Sequence, residues 1–305
     1  MGRPFRLCAE RRQIARPSYG GEREPDSHPT PGPPTLSSRP ASRSEWSAAE
    51  QPGGCPFPGY LPPVQFAGRP LEHDVSPGDW IAAVLRPFED SVVGSLVPPV
   101  FDGYARVFHP AVRYVGDDDV DVRWADVATA NRTVAHPVME WGSLTGSMDF
   151  FEDADQSPLW DQAPARGHLP VGVAAALVEV LRRHTGTPDD VLFGVWSGFG
   201  FIVAGAPTLA LPAREHWLLR GPVDLAAVNM AEEPSEQSAS LWWPADRSWF
   251  VATDIDLVTT YVGGSAACID DVVAAPGLEA VRVPVDQRFT WDADTVNPRP
   301  LDGPG

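Results

Sequence analysis

The sequence predicts an α+β domain: a single domain with a mixed or antiparallel sheet flanked by helices, behind a disordered N-terminal tail. Three observations predict it. Short runs rich in Val, Phe and Trp at 103–109, 191–196, 215–220 and 247–257 read as strands. Stretches with helical spacing and terminal signals at 76–85, 169–184 and 265–273 fall among them. About fifty residues with no apolar periodicity come first.

That leading stretch is rich in Pro, Ser, Arg and Gly, as in SHPTPGPPTLSSRPASRS. It has no pattern with which to offset the entropy of ordering. Residues 1–55 are therefore read as tail, 56–295 as the globular domain and 296–305 as a flexible C-terminus. The chain has 305 residues and 43% hydrophobic residues, enough for a sizeable core. Eleven tryptophans point to large aromatic anchors in that core.

In chain order, Ser76-Pro77-Gly78-Asp79 supplies a cap, an early proline and an acid for a helix through Trp80, Ile81, Val84 and Leu85, with Pro87 as its stop. Ser91–Val97 and Gly103–His109 are expected as strands ended by prolines. Asp121 is expected to cap a short helix carrying Trp124, Val127 and Ala128. The clearest helix is Leu169–His184: Arg182, Arg183 and His184 suit its negative end, and Gly186 follows as a left-handed cap. Val191–Trp196 is the next strand, followed by a glycine-rich turn and the run FIVAG. Glu215–Arg220 is a strand leading to a short helix from Pro222.

The region from 247 onward is the most regular. Arg247–Leu257 alternates, with Trp249, Val251, Ile255 and Leu257 on one face and Asp254 and Asp256 on the other. Gly263-Gly264-Ser265 then breaks the chain, with Ser265 capping a helix to Val273. Leu278–Val285 returns as a strand.

The chain contains no lysine. A pyridoxal phosphate enzyme needs a Schiff-base lysine, a P-loop its phosphate-binding lysine and a protein kinase its strand lysine, so all three classes are excluded. No cofactor pattern remains, and no cofactor is expected. Net charge is −18. Residues 1–50 carry eight arginines against six acids, and the remainder fifteen against thirty-five. Such a surface repels phosphate backbones, so no nucleic-acid partner is expected; a basic protein partner fits, and so does solubility alone. Cys8, Cys55 and Cys268 are odd in number and widely spaced, without a C-x-x-C pair. With no apolar leader and no eighteen-residue apolar run, a cytoplasmic location away from membranes is expected.

Three stretches carry a family likeness: YARVFHPA at 104–111, LPAREHWLLRGP at 211–222, and LWWPADRSWFVATDIDLVTTYVGGSAACIDDV at 241–272. They resemble a group of conserved hypothetical proteins of actinobacteria. The resemblance spans about residues 56–295, implies a dispensable tail and brings no activity with it.

Two places could carry chemistry. Asp254 and Asp256, two apart on a strand, would place both carboxylates on one face, where they could hold Mg²⁺ or divide acid and base roles; the competing reading is a solvated strand face. Gly263, Gly264 and Ser265 lead into a helix, where freed backbone N–H groups could accept an anion beside Tyr261; the competing reading is a tight turn with a serine cap. Ser197 lacks the spacing of a nucleophile elbow. Gly116–Asp121 has alternating carboxylates but lacks the glycine and final acid of a calcium loop, which leaves a solvated loop. Of the seven histidines none has metal-binding spacing. The leading expectation is a non-catalytic acidic interaction module; the alternative is a small-molecule or metal-dependent enzyme near Asp254, Asp256 and the 263–265 turn.

Overall fold

A computed structural model describes residues 65–66, 68–147, 156, 159–199, 205–231 and 236–299, all within one unit spanning Gly59–Gly305. The expected tail at 1–55, residues 201–204 of FIVAG and residues 300–305 lie outside the described residues.

The elements are β1 (Gln65–Phe66), β2 (Arg69–Pro70), α1 (Asp79–Ala82), β3 (Gly103–Phe108), β4 (Ala111–Val115), β5 (Asp118–Val122), α2 (Trp124–Asn131), α3 (Trp141–Thr145), α4 (Val171–Leu181), β6 (Val191–Trp196), β7 (Leu209–Ala210), β8 (Glu215–Gly221), β9 (Leu241–Pro244), β10 (Trp249–Ala252), β11 (Thr259–Gly264), α5 (Ala266–Ala274) and β12 (Ala280–Val283). Eight strands form one antiparallel sheet in the order β12-β3-β11-β10-β9-β6-β8-β7. The fold is thus α+β with an antiparallel sheet.

Its central strands are buried on both faces, and their apolar runs are continuous rather than alternating. One face carries Val107, Phe193, Trp242, Trp249, Val251 and Val262 against Leu177 and Leu181 of α4 and Ile269 and Val272 of α5. The helix α4 turns Val173, Leu177, Val178 and Leu181 into this core and leaves Val171, Gly172, Ala175 and Glu179 exposed. The other face carries Leu192, Leu218, Trp243, Phe250 and Tyr261 beneath Ile81 of the short α1 and the irregular chain after it, which supplies Val93, Leu96 and Val97. A third cluster joins Phe108, Trp124, Trp141 and Trp160, with successive ring centroids 4.8, 5.2 and 5.3 Å apart. The expected tryptophan anchors are there: Trp124, Trp141, Trp160, Trp242, Trp243 and Trp249 are fully buried.

Several local expectations are corrected. Residues 76–85 form a 3-10 turn and the single turn α1, since neither end has a side-chain cap. The stretch 91–97 is no strand: Ser91 adopts φ 54° and Val93–Ser95 form a 3-10 turn. Asp121 lies in β5 and does not cap α2. The cap comes from Glu279, whose two carboxylate oxygens accept from the N–H groups of Trp124 and Ala125 at 2.7 and 2.8 Å. Gly116, at φ 65°, closes β4–β5 into a hairpin where a loop was expected. Gly186 is not left-handed; its N–H donates to Asp246 at 2.7 Å. Asn297 is buried and bonds Val134 and Asp294, so the domain continues past 295. Among the described residues, no helix is long and apolar enough to cross a membrane.

Candidate functional site

The expected long strand at 247–257 is shorter. Only Trp249–Ala252 pair, and both of their faces are buried. Arg247 at φ 56° turns the chain before β10. After it, the Asp254 carboxylate accepts from the Asp256 N–H at 3.0 Å and the Leu257 N–H bonds the Asp254 carbonyl at 3.1 Å. This is an Asx-type turn, which aspartate forms because its short side chain imitates a backbone acceptor. Sequence alternation across 254–257 therefore reflects a turn and not a strand face.

The glycine turn is likewise corrected. Gly263 and Gly264 belong to β11 and pair on both sides, with Tyr104 and Gly103 of β3 and with Phe250 and Trp249 of β10. Their backbone groups serve the ladder and are not turned toward an anion. Glycine is needed for space: a Cβ on Gly263 would stand 2.5 Å from Phe101 and 2.7 Å from Val97. Ser265 does cap α5, its hydroxyl accepting from the Cys268 N–H at 3.2 Å. Tyr261 is fully buried within the sheet. Asp254 follows β10 and Gly264 ends β11, so the length of β11, about 17 Å at the usual rise, separates them. They do not share a site.

A cleft on the loop-covered face gathers a different set. Its walls are Leu85, Phe88, Leu96, Leu211, Leu241 and Ile255; its enclosed cavity is about 50 Å³, and the space out to its open mouth, solvent included, is about 480 Å³. Four pieces of chain position its polar groups. Strand β8 brings His216, the residue before β9 is Ser240, the end of β10 leads to Thr253 and Asp254, and the turn before β8 presents Arg214. That turn is closed by the Leu211 N–H donating to the Arg214 carbonyl at 3.0 Å.

Arg214 is locked in place. Its Nε and Nη2 donate to the two oxygens of Asp254 at 2.9 and 3.0 Å, and Nη2 also donates to Asp256 at 2.8 Å. The guanidinium lies 5.6 Å from the Phe88 ring centroid and 5.3 Å from that of Trp196. Asp254 and Asp256 thus meet as partners of one arginine and do not form a free carboxylate pair. Thr253 points its hydroxyl elsewhere: it bonds Thr260 at 2.7 Å, which bonds His109 Nε2 at 2.9 Å. His109 Nδ1 donates to the Ala165 carbonyl at 2.7 Å, so Nε2 is the acceptor. Burial pushes His109 down to about 4, and the ring is neutral near pH 7.

The remaining polar groups are unlike these. His216 and Ser240 are 4% and 3% exposed, and neither His216 Nδ1 nor Ser240 Oγ has a hydrogen-bond partner. Burial first, then the Arg214 charge, lowers His216 to about 3. The cleft therefore holds a neutral imidazole and a hydroxyl in apolar surroundings, where an unmet polar atom costs about 1–3 kcal/mol. Neither residue was singled out from sequence; a histidine inside the apolar run of β8 was the available signal.

Among the described residues, no three His, Cys, Asp or Glu side chains stand where they could hold a metal ion. No family model, curated protein or solved structure matches this chain.

Proposed function

We propose that this chain is a non-catalytic binding module that receives a small ligand in the cleft between the sheet and residues 85–96. The single observation that carries the reading is a pair of buried, unpartnered polar atoms, His216 Nδ1 and Ser240 Oγ, in a cleft whose other polar side chains, Ser95, Arg214, Thr253 and Asp254, are all hydrogen-bonded. Native proteins satisfy nearly all buried polar atoms, and pockets combine apolar walls with a few such groups for orientation. Catalysis is not favoured: the one carboxylate lining the cleft is engaged by Arg214, and among the described residues no acid bonds His216. Toluene tests the reading. It should shift the Ala252 methyl resonance in a saturable way, and Ala213→Trp, at the exposed mouth of the cleft, should abolish the shift. No shift at millimolar toluene would sink the proposal.

A second reading keeps the basic protein partner, and one observation favours it. The β4–β5 hairpin holds Tyr114, Val115 and Val120 exposed beside Asp117, Asp118 and Asp119. Apolar contacts ringed by negative charge suit an arginine- and leucine-containing segment. A basic peptide should broaden hairpin resonances, and the effect should weaken as salt is raised.

A further inference from the structure

We infer that the ligand of this cleft is a neutral molecule with an apolar body and one hydroxyl group at its buried end, a class represented by phenol. The inference rests on the proposed binding function and adds the ligand's chemistry to it.

Charge is settled by the groups around the cleft. Arg214, the one cation lining the cleft, is held by Asp254, the one lining carboxylate, so the lining carries no net charge; Asp256 lies beyond it, between Arg214 and the charge of Arg166. His216 stays neutral and offers no charge to an anion. A ligand carboxylate would shed its hydration where the one lining cation is already held in a two-point pair. A ligand ammonium would find Asp254 engaged by Arg214 in a two-point pair. Neutral ligands avoid both costs.

The head group follows from His216 and Ser240. A neutral imidazole offers one donor and one acceptor nitrogen, and a serine hydroxyl can act in either sense. A ligand hydroxyl can likewise donate once and accept twice, so it can answer both residues without another ion. Gly194 lets the neighbouring strands bring Leu241 and His216 close together. A Cβ there would stand 3.3 Å from Leu241 Cβ and 3.4 Å from His216 Cβ, tighter than ordinary packing contacts. The rest of the wall, from Leu85 to Ile255, is apolar and suits a hydrocarbon body.

Three molecules of similar shape separate the possibilities: phenol, toluene and benzoate, each titrated into the full chain at pH 7. The His216 ring and Ala252 methyl resonances locate the binding. Phenol should bind about tenfold tighter than toluene, as one or two satisfied buried hydrogen bonds imply, and benzoate weakest of the three. Ser240→Ala, which changes little volume, should erase most of the preference for phenol while leaving toluene affinity unchanged. Equal affinity for phenol and toluene, or tightest binding of benzoate, would overturn the hydroxyl assignment and leave the cleft as an apolar ligand site. Failure of all three to shift either resonance would instead overturn the binding function, and this inference with it.

Discussion

The two faces of the eight-stranded sheet are both buried, yet they are covered in different ways. Helices α4 and α5 cover one with Leu177, Leu181, Ile269 and Val272. A helix meets its own backbone hydrogen bonds and offers a continuous apolar stripe, so it seals a sheet without stranding polar groups. Even the Trp249 indole on that face has a partner, its Nε1 donating to the Leu181 carbonyl at 3.0 Å. Irregular chain between α1 and β3 covers the other face. There His216 Nδ1 and Ser240 Oγ are buried and unpartnered, while none of the unpartnered buried atoms among the described residues belongs to the helix-covered core. One face is sealed; the other keeps an open cleft.

The largest effect belongs to the sealed face. Trp249→Ala should destabilise the domain by about 3–5 kcal/mol, since it leaves a cavity beside Trp242 and removes the indole's hydrogen bond to the Leu181 carbonyl. Urea midpoints measure this. A cost below about 1 kcal/mol would mean that the helices do not seal this face as described.

Acid should expose the loop-covered face. The folded value of His216 lies near 3 and the free value near 6.5, so between them the unfolded chain binds a proton that the folded chain refuses. This contribution is present above about pH 6.5 and lost as pH falls toward 3. By pH 5 the loss is about 2 kcal/mol. His216→Leu should therefore reduce the fall in melting midpoint between pH 7 and 5. It should not abolish it, because His109 is lowered for the same reason. An unchanged slope would place the His216 ring in contact with water.

The rim lies between the two extremes. Asp254→Asn breaks a two-point pair whose side chains are 17% and 7% exposed, and should cost about 1–2 kcal/mol. Asp256 is 72% exposed, so Asp256→Asn should cost less than about 0.5 kcal/mol. Equal costs would show that Arg214 does not discriminate between its partners.

How much of this was legible follows the same division. Strands Gly103–Phe108, Val191–Trp196 and Glu215–Gly221 and helix α4 could be read because local propensity and burial agree in them. The 247–257 alternation misled because Asp254 forms an Asx turn, and nothing in a period-two pattern separates that from a strand's wet face. The Gly263–Gly264 pair reads as a turn in any local window. The distant Val97 and Phe101, packed above the sheet, make glycine necessary at 263, while at 264 a Cβ would stand 3.1 Å from Cys268 of α5. The α2 cap is equally non-local, since Glu279 comes from 155 residues away. The cleft was hidden for this reason too: His216, Ser240 and Arg214 converge from separate pieces of chain, and none has a motif of its own.

The smallest predicted effect has the opposite sign and tests the comparison most directly. Ser240 is 3% exposed and its hydroxyl has no partner, whereas its backbone N–H is secured to the Gly194 carbonyl at 2.8 Å and its carbonyl accepts from the Thr253 N–H at 2.8 Å. Removing the hydroxyl leaves the backbone anchors intact and deletes a polar atom that folding strips of water. Ser240→Ala should thus lie between unchanged and about 1 kcal/mol more stable, where a serine with a buried partner would lose about 1 kcal/mol. The same substitution should weaken binding of a hydroxyl-bearing ligand such as phenol, so stability and affinity move in opposite directions. A residue kept for the fold alone would not show that divergence. If Ser240→Ala destabilises the domain by 1 kcal/mol or more, the hydroxyl has a partner in the folded protein, and the loop-covered face is as fully satisfied there as the helix-covered one.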